Sequence, residues 1–503
     1  MPRLYQRVLP PYRGVALHTL LALLLTLASP VFLLLIFPKF NMRFLAPVAL
    51  TPLLIAAART ERAWQRFLYG WAAGIFYWFF LCTWIQFVLE AHGGMGVWGG
   101  WGSFLLFSLL KALHLAVFSL LAGPLMRTAY ALPAVAALWT GLERTHGTFG
   151  FAWLALGNAG IDMSIPLRLA PLVGVYGLSF VFCMLATAVA CVALRLPRRR
   201  LWPLLLLVLL WILPAIPQGV PAGNSALVVQ PNISPDVEWT QMLREKTEQQ
   251  LGLLSEAIAS PLVVWPELPA PLYFYDDPEF HQAATNIALR HGYFLFGTVA
   301  YTPTHQPLNS AVLLGPGGAE VGRYDKIDLV PFGEFVPAVF SFVGRITQEA
   351  GDFAPGRDIK VLAAAGHRLG VFICYESAFP DLVRQFTRQG ADVLVNLSND
   401  AYFGHSEARE QHLLLVRMRA VENRRYIIRA TNDGITAVID PAGRITKRLP
   451  QFEEAAASVQ YGAVESTTVY ARHGDWFAWS CLAAGLLFAC VQPRRQLSRH
   501  DNA

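Results

Sequence analysis

The sequence predicts a polytopic α-helical membrane protein that carries one α/β domain outside the membrane. Hydrophobic residues make up 54% of the 503-residue chain and charged residues only 15%, whereas a soluble globular protein carries about 25% charged residues. Long apolar runs fill the chain before residue 222 and return near its end, while the stretch between them holds most of the acidic residues. We therefore expect a membrane domain over 1–221, an α/β domain over 222–468, and a membrane helix with a tail over 469–503.

Apolar stretches long enough to cross a bilayer, which takes about 20 residues, recur before residue 222. The apolar stretches lie between Arg13 and Lys39, at 46–58, between Arg66 and Glu90, at 101–126, at 128–142, between Arg168 and Arg195, and at 201–217. They predict about seven spans, and 476–492 predicts one more. The stretches 46–58 and 128–142 are shorter than a full span, and Lys111 lies near the middle of 101–126.

Basic residues beside these stretches predict the orientation, because cytoplasmic loops are enriched in Lys and Arg. With the N-terminus in the cytoplasm, the residues on the cytoplasmic side are Arg3, Arg7, Arg13, Arg59, Arg62, Arg66, Arg127, Arg195, Arg198, Arg199, Arg200, Arg494, Arg495 and Arg499. Lys39 and Arg43 fall on the opposite side. The α/β domain is then expected outside the cytoplasm, and the net charge of +6 reflects these clusters rather than a nucleic-acid partner.

Short apolar runs and amphipathic segments alternate between residues 222 and 468. Strands are predicted at 225–230, 262–265, 293–301, 311–314, 369–373, 393–397, 427–430 and 436–439. Helices are predicted at 239–259, 279–291, 381–390 and 410–423. This alternation is typical of a layered α/β domain, and about 245 residues can bury a complete core.

Three polar residues of this domain stand where a reaction could take place. Glu267 and Cys374 each come just past an apolar run that reads as a buried strand, and Lys326 lies in a loop after another. Loops beyond strand ends build the sites of such sheets. A carboxylate can take the thiol proton, and an ammonium can lower the pKa of the thiol and stabilise an oxyanion. The alternative for Cys374 is a small buried hydrophobic residue.

Other features of the sequence argue for no metal or disulfide. The six cysteines show no paired spacing, and His405 and His412 match no zinc motif. Asn396 and Asn399 are expected to shape the loop after their strand. A group of apolar residues could form a lid over the site or simply the edge of the core: Phe332, Phe335, Val339, Phe340 and Phe342.

The order and context of Glu267, Lys326 and Cys374 resemble the Glu-Lys-Cys triad of the carbon–nitrogen hydrolase (nitrilase) superfamily. Within it, the chain is similar to the bacterial apolipoprotein N-acyltransferase family. The stretches that carry this likeness are VVWPELPAP, YDKIDLVPFGEFVP, FICYE, NLSNDAYFG, RMRAVENRRYIIRATNDGITAVIDPAG, ALWTGLERTHG and the YAR-x-GD segment that begins at Tyr470. The likeness covers both the membrane part and the α/β domain, and so nearly the whole chain. Tyr402 departs from the family, which usually has Trp there.

The resemblance implies an αββα sandwich for the α/β domain and a role for several residues. Glu267 would be the general base, Lys326 would stabilise the oxyanion, and Cys374 would be the nucleophile. The positions that match supporting or substrate-binding residues of the family are Glu334, Tyr375, Glu376 and Trp239.

The resemblance also implies a reaction and a location. An acyl chain would pass from a membrane phospholipid, at the sn-1 position of phosphatidylethanolamine, to Cys374 as a thioester. The N-terminal cysteine amine of a diacylglyceryl apolipoprotein would then take it in a ping-pong sequence. We expect a monomer in the bacterial inner membrane, with the catalytic domain in the periplasm and no metal or diffusible cofactor.

The sequence also allows two alternatives to acyl transfer. A membrane-tethered amidase or nitrilase would use the same triad but give its acyl group to water. A transporter would place its binding site at the bilayer midplane, whereas these polar residues lie outside the apolar stretches. Acyl transfer explains both the triad and the membrane domain, since donor and acceptor are then both anchored in lipid.

Overall fold

The computed structural model describes residues 11–149, 151–217, 221–234, 237–331, 333–335 and 353–491. Four of the lid candidates, Phe332, Val339, Phe340 and Phe342, lie outside the described residues, as does Gln492 at the end of the last predicted span.

The first part of the chain is helical. Its helices are α1 (Pro11–Leu35), α2 (Thr51–Arg59), α3 (Ala63–Leu81), α4 (Trp84–Ala91), α5 (Gly96–Lys111), α6 (Leu113–Leu125), α7 (Ala131–Thr148), α8 (Ala170–Val173), α9 (Val175–Ala193) and α10 (Leu209–Ile212). Two further helices at the end of the chain, α15 (Val469–His473) and α16 (Trp476–Cys490), pack against α8 and α7 respectively. We refer to these twelve helices, with the segments that connect α1 through α10, as the helical part.

Among the described residues, few helices are both long and apolar enough to cross a membrane. Gly96–Leu125, which joins α5 and α6, and α9 meet this condition, and α3 with α4 would be a third if that pair, bent by 60°, is one span. Shorter apolar helices occupy Thr19–Leu35 and α16. The expected number of about seven spans before the α/β domain is therefore not confirmed.

Two of the predicted spans form something other than a long α-helix. The stretch 46–58 becomes the end of a 3-10 turn and the nine-residue α2, most of which is buried. The stretch 201–217 begins within a 3-10 helix, Arg198–Val208, that contains Pro203, and continues into the four-residue α10. Proline removes a backbone donor and clashes with the preceding turn, so this apolar stretch does not form one continuous α-helix.

The second part of the chain forms two sheets of six strands each. The strands are β1 (Asn224–Gln230), β2 (Leu262–Val264), β3 (Tyr293–Tyr301), β4 (Pro307–Leu314), β5 (Glu320–Asp325), β6 (Val361–Ala364), β7 (His367–Ile373), β8 (Val393–Ser398), β9 (Ile427–Thr431), β10 (Ala437–Ile439), β11 (Ile445–Arg448) and β12 (Ala455–Tyr461). The first sheet has the order β12-β1-β2-β3-β4-β5 and the second β11-β10-β9-β8-β7-β6. The central pairs β1–β2, β2–β3, β7–β8 and β8–β9 are parallel.

The two sheets face each other between two layers of helices. Alternate residues of β3 point in opposite directions: Phe294 and Phe296 join a core with α11 (Gln241–Glu256) and α12 (Pro278–His291), while Leu295 joins the core between the sheets. The other helices, α13 (Pro380–Arg388) and α14 (Ala408–Asn423), pack on the second sheet. We refer to the strands with α11–α14 as the sandwich. The predicted layered α/β fold is confirmed.

Every strand and helix predicted in this domain is present, but four strands were not predicted. They are β5, β6, β11 and β12. The strands β5 and β11 are polar and lie at sheet edges with much of their surface exposed, so they lack the apolar pattern of a buried strand. The strand β12 contains a run of alanine, a residue that is depleted in strands.

The helix α14 joins the sandwich to the helical part. Gln411 on α14 accepts a hydrogen bond from Trp153 Nε1 (2.7 Å) and donates one to the Leu81 carbonyl (3.2 Å). Farther along α14, the Glu422 carboxylate accepts a hydrogen bond from Val175 N (2.8 Å) at the beginning of α9. The sandwich therefore provides an N-terminal cap for an apolar helix of the helical part.

An ion cluster at the same seam involves a residue that departs from the charge pattern of the other loops. Arg43 forms an ion pair with Asp162 in the helical part, and Asp162 also pairs with Arg417 of α14. One carboxylate thus joins two guanidinium groups and ties this loop of the helical part to α14.

Candidate active site

The strand ends bring a lysine between two carboxylates. Lys326 follows β5, and its Nζ lies 3.0 Å from Glu267 Oε1 and 2.9 Å from Glu334 Oε1. Glu267 follows β2, where the chain passes so close to Gly297 of β3 that an added Cβ would stand 2.8 Å from the Glu267 Cα. A glycine at 297 therefore leaves room for the carboxylate-bearing turn.

The electrostatics of this group follow from its burial. Lys326 is 1% exposed, and burial acts against its charged form. The Glu267 and Glu334 carboxylates outweigh burial and raise the pKa of Lys326 well above its ordinary value. Lys326 is therefore an ammonium at neutral pH, and it can stabilise negative charge that forms beside it.

Asn309 is a member of this group that the sequence did not reveal. Its Nδ2 donates to Glu267 Oε1 (2.8 Å) and to Glu334 Oε1 (2.6 Å), so one amide fixes both carboxylates. The signal was an amide within the mostly apolar strand β4, since a buried polar side chain needs partners. The remaining oxygens are also occupied: Val330 N donates to Glu334 Oε2 (2.8 Å) and Asn399 N to Glu267 Oε2 (3.0 Å).

Cys374 stands at the end of β7 in a strained backbone conformation. Its φ is +49°, in the left-handed region that disfavours side chains, and the 3-10 turn Cys374–Ala378 begins there. Burial raises the pKa of the Cys374 thiol, Glu267 adds to this rise, and Lys326 opposes it. The resting form is the thiol, so reaction requires a base, and Glu267 is the carboxylate with the largest electrostatic effect on the thiol.

Glu376 connects two segments of the candidate site through hydrogen bonds. It is completely buried, and its Oε1 accepts hydrogen bonds from Tyr324 Oη (2.7 Å) and Ile327 N (2.7 Å), while its Oε2 accepts one from Ile373 N (2.6 Å). The residue thus ties the Lys326 loop to the turn that carries Cys374. Burial raises the pKa of Glu376 to about 7.

Tyr375 and Trp239 lie apart from the carboxylates. The Tyr375 hydroxyl accepts a hydrogen bond from Ala152 N (3.2 Å), and its ring lies near Phe151 and Trp153 of the helical part. Tyr375 therefore connects the site to the helical part. Trp239 lies just before α11, half-buried against the core beneath that helix.

The helical part also reaches the loop after β8. That loop contains Asn399, which contacts Glu267, and the half-exposed Tyr402. The Tyr402 ring meets the His92 ring edge-on, with 4.8 Å between centroids, and Phe403 meets Trp84 of α4 at 5.0 Å. The bent α3–α4 pair thus packs beside the candidate site. Within the described ranges, no group of three or more His, Cys, Asp or Glu is arranged to hold a metal ion.

Two family models match the chain, one for each part. Residues 29–188 match the model described as "Apolipoprotein N-acyltransferase N-terminal domain", and residues 226–472 match "Carbon-nitrogen hydrolase". The second match confirms that the sandwich is a carbon–nitrogen hydrolase fold.

Curated relatives with one shared name match over most of their length. An apolipoprotein N-acyltransferase of Geobacter metallireducens is 34% identical over 504 residues, covering 95% of this chain and 96% of that protein. The apolipoprotein N-acyltransferase of Methylococcus capsulatus is 32% identical, with 95% and 98% covered. That of Azotobacter vinelandii is 36% identical, with 73% and 74% covered.

Solved structures resemble the sandwich more distantly. A CN-hydrolase superfamily protein from Xanthomonas campestris is 21% identical with a TM-score of 0.37, covering 48% of this chain and 90% of that chain. An amidase from Nesterenkonia sp. is 19% identical with a TM-score of 0.38, covering 50% and 95%.

Proposed function

Because the chain belongs to the apolipoprotein N-acyltransferase family, we propose that it transfers an acyl chain from a membrane phospholipid to the N-terminal cysteine amine of a diacylglyceryl apolipoprotein. The observation that carries the chemistry is the buried Lys326 ammonium, held by Glu267 and Glu334 beside the Cys374 thiol. A nucleophile, a base and an oxyanion partner are the groups that acyl transfer needs.

In the first half-reaction, Glu267 takes the proton of the Cys374 thiol as sulfur attacks the ester carbonyl. The Lys326 ammonium and the Tyr375 backbone N–H stabilise the tetrahedral oxyanion. The carbon–oxygen bond then breaks, and the Glu267 proton passes to the departing oxygen. The products are a lysophospholipid and a Cys374 thioester.

In the second half-reaction, the free amine of the acceptor attacks the thioester carbonyl. Glu267 removes a proton from the attacking nitrogen, and the carbon–sulfur bond breaks. The sulfur regains a proton, which restores the thiol. The acceptor leaves as an N-acylated lipoprotein, and no external oxidant or metal enters the balance of either step.

The attachment of the site to the helical part favours transfer over hydrolysis. Tyr375 follows the nucleophile and bonds to Ala152, and Phe403 packs on Trp84. A site fixed against apolar helices meets two lipid-anchored substrates at high effective concentration. An amidase that releases its acyl group to water would have no use for this attachment.

We place the enzyme in the bacterial inner membrane as a monomer. In this proposal, residues 222–468 form a periplasmic catalytic domain, with about seven spans before it and one after. The grounds are the basic residues of the loops, most of which fall on one side of such an arrangement.

The test is the mass of the intact protein. Incubation with phospholipid should add one acyl mass to Cys374, and the adduct should persist without acceptor if water is excluded. A diacylglyceryl peptide with a free N-terminal amine should discharge the adduct, whereas the same peptide with a blocked amine should not.

Two variants control this measurement. Cys374→Ala should form no adduct, and Cys490→Ala, which changes an exposed cysteine of α16, should behave as the wild type. Discharge by water alone, at a rate that the amine peptide leaves unchanged, would instead identify a membrane-bound hydrolase.

A further inference from the structure

A buried histidine of α14 contacts the backbone of the nucleophile. His412 is completely buried, and its Nε2 lies 3.0 Å from the Cys374 carbonyl oxygen. Its Nδ1 lies 3.0 Å from Asp400 Oδ1. Arg429 donates to both oxygens of Asp400, at 2.9 and 2.7 Å. A chain of polar contacts therefore ends on the peptide group of Cys374.

The direction of these hydrogen bonds follows from the atoms involved. A carbonyl oxygen only accepts, so His412 Nε2 carries a hydrogen and donates it to Cys374. His412 Nδ1 lies closer to the Asp400 carboxylate than to Arg429 Nη2, which is 3.2 Å away. Burial acts to raise the pKa of Asp400, but Arg429 and His412 hold it well below its usual range. A permanent carboxylate therefore orients the imidazole ring.

The atom that His412 holds belongs to the peptide unit between Cys374 and Tyr375. This unit is planar, and in its trans form the C=O and N–H point in opposite directions. Fixing the Cys374 oxygen therefore fixes the direction of the Tyr375 N–H. Tyr375 is the second residue of the 3-10 turn, where an N–H group has no acceptor within the helix, so this donor is available to an oxyanion.

The strained backbone of Cys374 makes such a restraint necessary. A side chain at a φ of +49° costs free energy and persists only where the surroundings hold it. Glu376 holds the turn on one side through Ile373 N. His412 holds the Cys374 carbonyl from the side of α14.

We propose that His412 is a positioning residue, which holds the Cys374–Tyr375 peptide so that the Tyr375 N–H points at the oxyanion formed during acyl transfer. The inference rests on the proposed function and adds to it a residue that touches neither donor nor acceptor. His412 acts through the peptide group, and Asp400 and Arg429 act through His412.

Two substitutions separate the two contacts of the ring. In His412→Gln, the amide nitrogen can reach the position of Nε2 and still donate to the Cys374 oxygen. In His412→Asn, the amide nitrogen takes the position of Nδ1 and meets Asp400, but the Cys374 oxygen is left without its donor. Each variant loses one buried contact, so the pair controls for general destabilisation.

The measurement compares acylation with alkylation of the same sulfur. Acyl-enzyme formation is followed by mass with phospholipid and by the burst of p-nitrophenol from p-nitrophenyl butyrate. Alkylation by iodoacetamide passes through no oxyanion. We expect His412→Asn to slow acylation by both donors at least about tenfold, with alkylation within about twofold of wild type. His412→Gln should keep most of the acylation rate.

Equal acylation rates in the two variants, or an alkylation rate that falls together with acylation in His412→Asn, would overturn the inference. If the wild type fails to accept phospholipid but keeps the ester burst, the proposed function is contradicted. The ester assay then still tests the role of His412. If neither variant accumulates in the membrane, Asp400→Asn is the second test: an unchanged ester burst there would overturn the inference.

Discussion

Two nearby charges act in opposite directions on the pKa of the Cys374 thiol. The Glu267 carboxylate adds to the rise that burial causes in the pKa of Cys374, and the Lys326 ammonium opposes it. The thiol thus keeps its proton until an electrophile arrives, and the same carboxylate that disfavours the thiolate is available to receive that proton. Such a site is protected from accidental alkylation and oxidation, which both act on thiolates.

This arrangement predicts opposite shifts in the pH profile of Cys374 alkylation. In Glu267→Gln, a negative charge is removed, so the pKa of Cys374 should fall and the midpoint of the iodoacetamide profile should move to lower pH. In Lys326→Met, a positive charge is removed, and the midpoint should move to higher pH. Both variants should lose acyl transfer.

The alkylation profile is obtained from the rate of mass increase across a pH series, with Glu279→Gln at the beginning of α12 as a matched control. That variant removes a carboxylate outside the site and should leave the midpoint in place. Midpoints that move in the same direction in Glu267→Gln and Lys326→Met would contradict the assignment of these two charges.

Among the secondary-structure elements, α14 contacts both the nucleophile and the helical part. His412 turns toward the nucleophile, while Gln411 and Glu422 bond to the helical part. Burial raises the pKa of Glu422 to about 7 from its ordinary 4.5, against the effects of Arg419 and Val175 N. The folded state therefore favours protonated Glu422. The stability from this group is full below about pH 4.5 and is lost as the pH rises through about 7.

Glu422→Gln should remove this part of the pH dependence, because the amide stays neutral and its oxygen can still accept from Val175 N. The melting temperature of the variant should fall less than that of the wild type between pH 5 and pH 8. Glu410→Gln, on the first turn of the same helix and partly exposed, should give a curve parallel to that of the wild type. A parallel curve from Glu422→Gln would contradict the prediction.

Local sequence predicted most of the sandwich but less of the helical part. Strands such as β3 and β8 are mostly apolar because both faces are buried. Glu267, Lys326 and Cys374 each follow a strand, but β7 lies in the other sheet from β2 and β5, so the sequence pointed to the strand ends without showing how the two sheets bring them together. Hydropathy, by contrast, measures apolarity and not helix length, so it treats the buried α2 and the proline-containing 201–217 as spans.

Asn309 and His412 could not be assigned roles because their contacts come from distant positions. Asn309 contacts Glu267, which is 42 residues away, and Glu334, which is 25 residues away. His412 reaches the Cys374 carbonyl across 38 residues. Neither partner is evident until the chain is folded.

At the scale of the whole molecule, the orientation of the two parts across the membrane is open to a direct test. In a Cys490→Ala background, a cysteine in place of exposed Gln282 on α12 should react with a membrane-impermeant thiol reagent in intact spheroplasts. A cysteine in place of exposed Arg198 should react only after lysis. Labelling of Arg198→Cys alone in intact cells would reverse the topology and place Cys374 in the cytoplasm.

The short helix α2 has a consequence for how the protein is made. Its nine residues extend about 13 Å, less than half the thickness of the hydrocarbon layer, so a translocon could not release it into lipid as an independent segment. Its Thr51 hydroxyl donates to the Ala186 carbonyl of α9, 135 residues later. The contact between α2 and α9 can therefore form only after α9 has been synthesised. The final position of α2 is thus completed late in synthesis rather than when the segment itself is made.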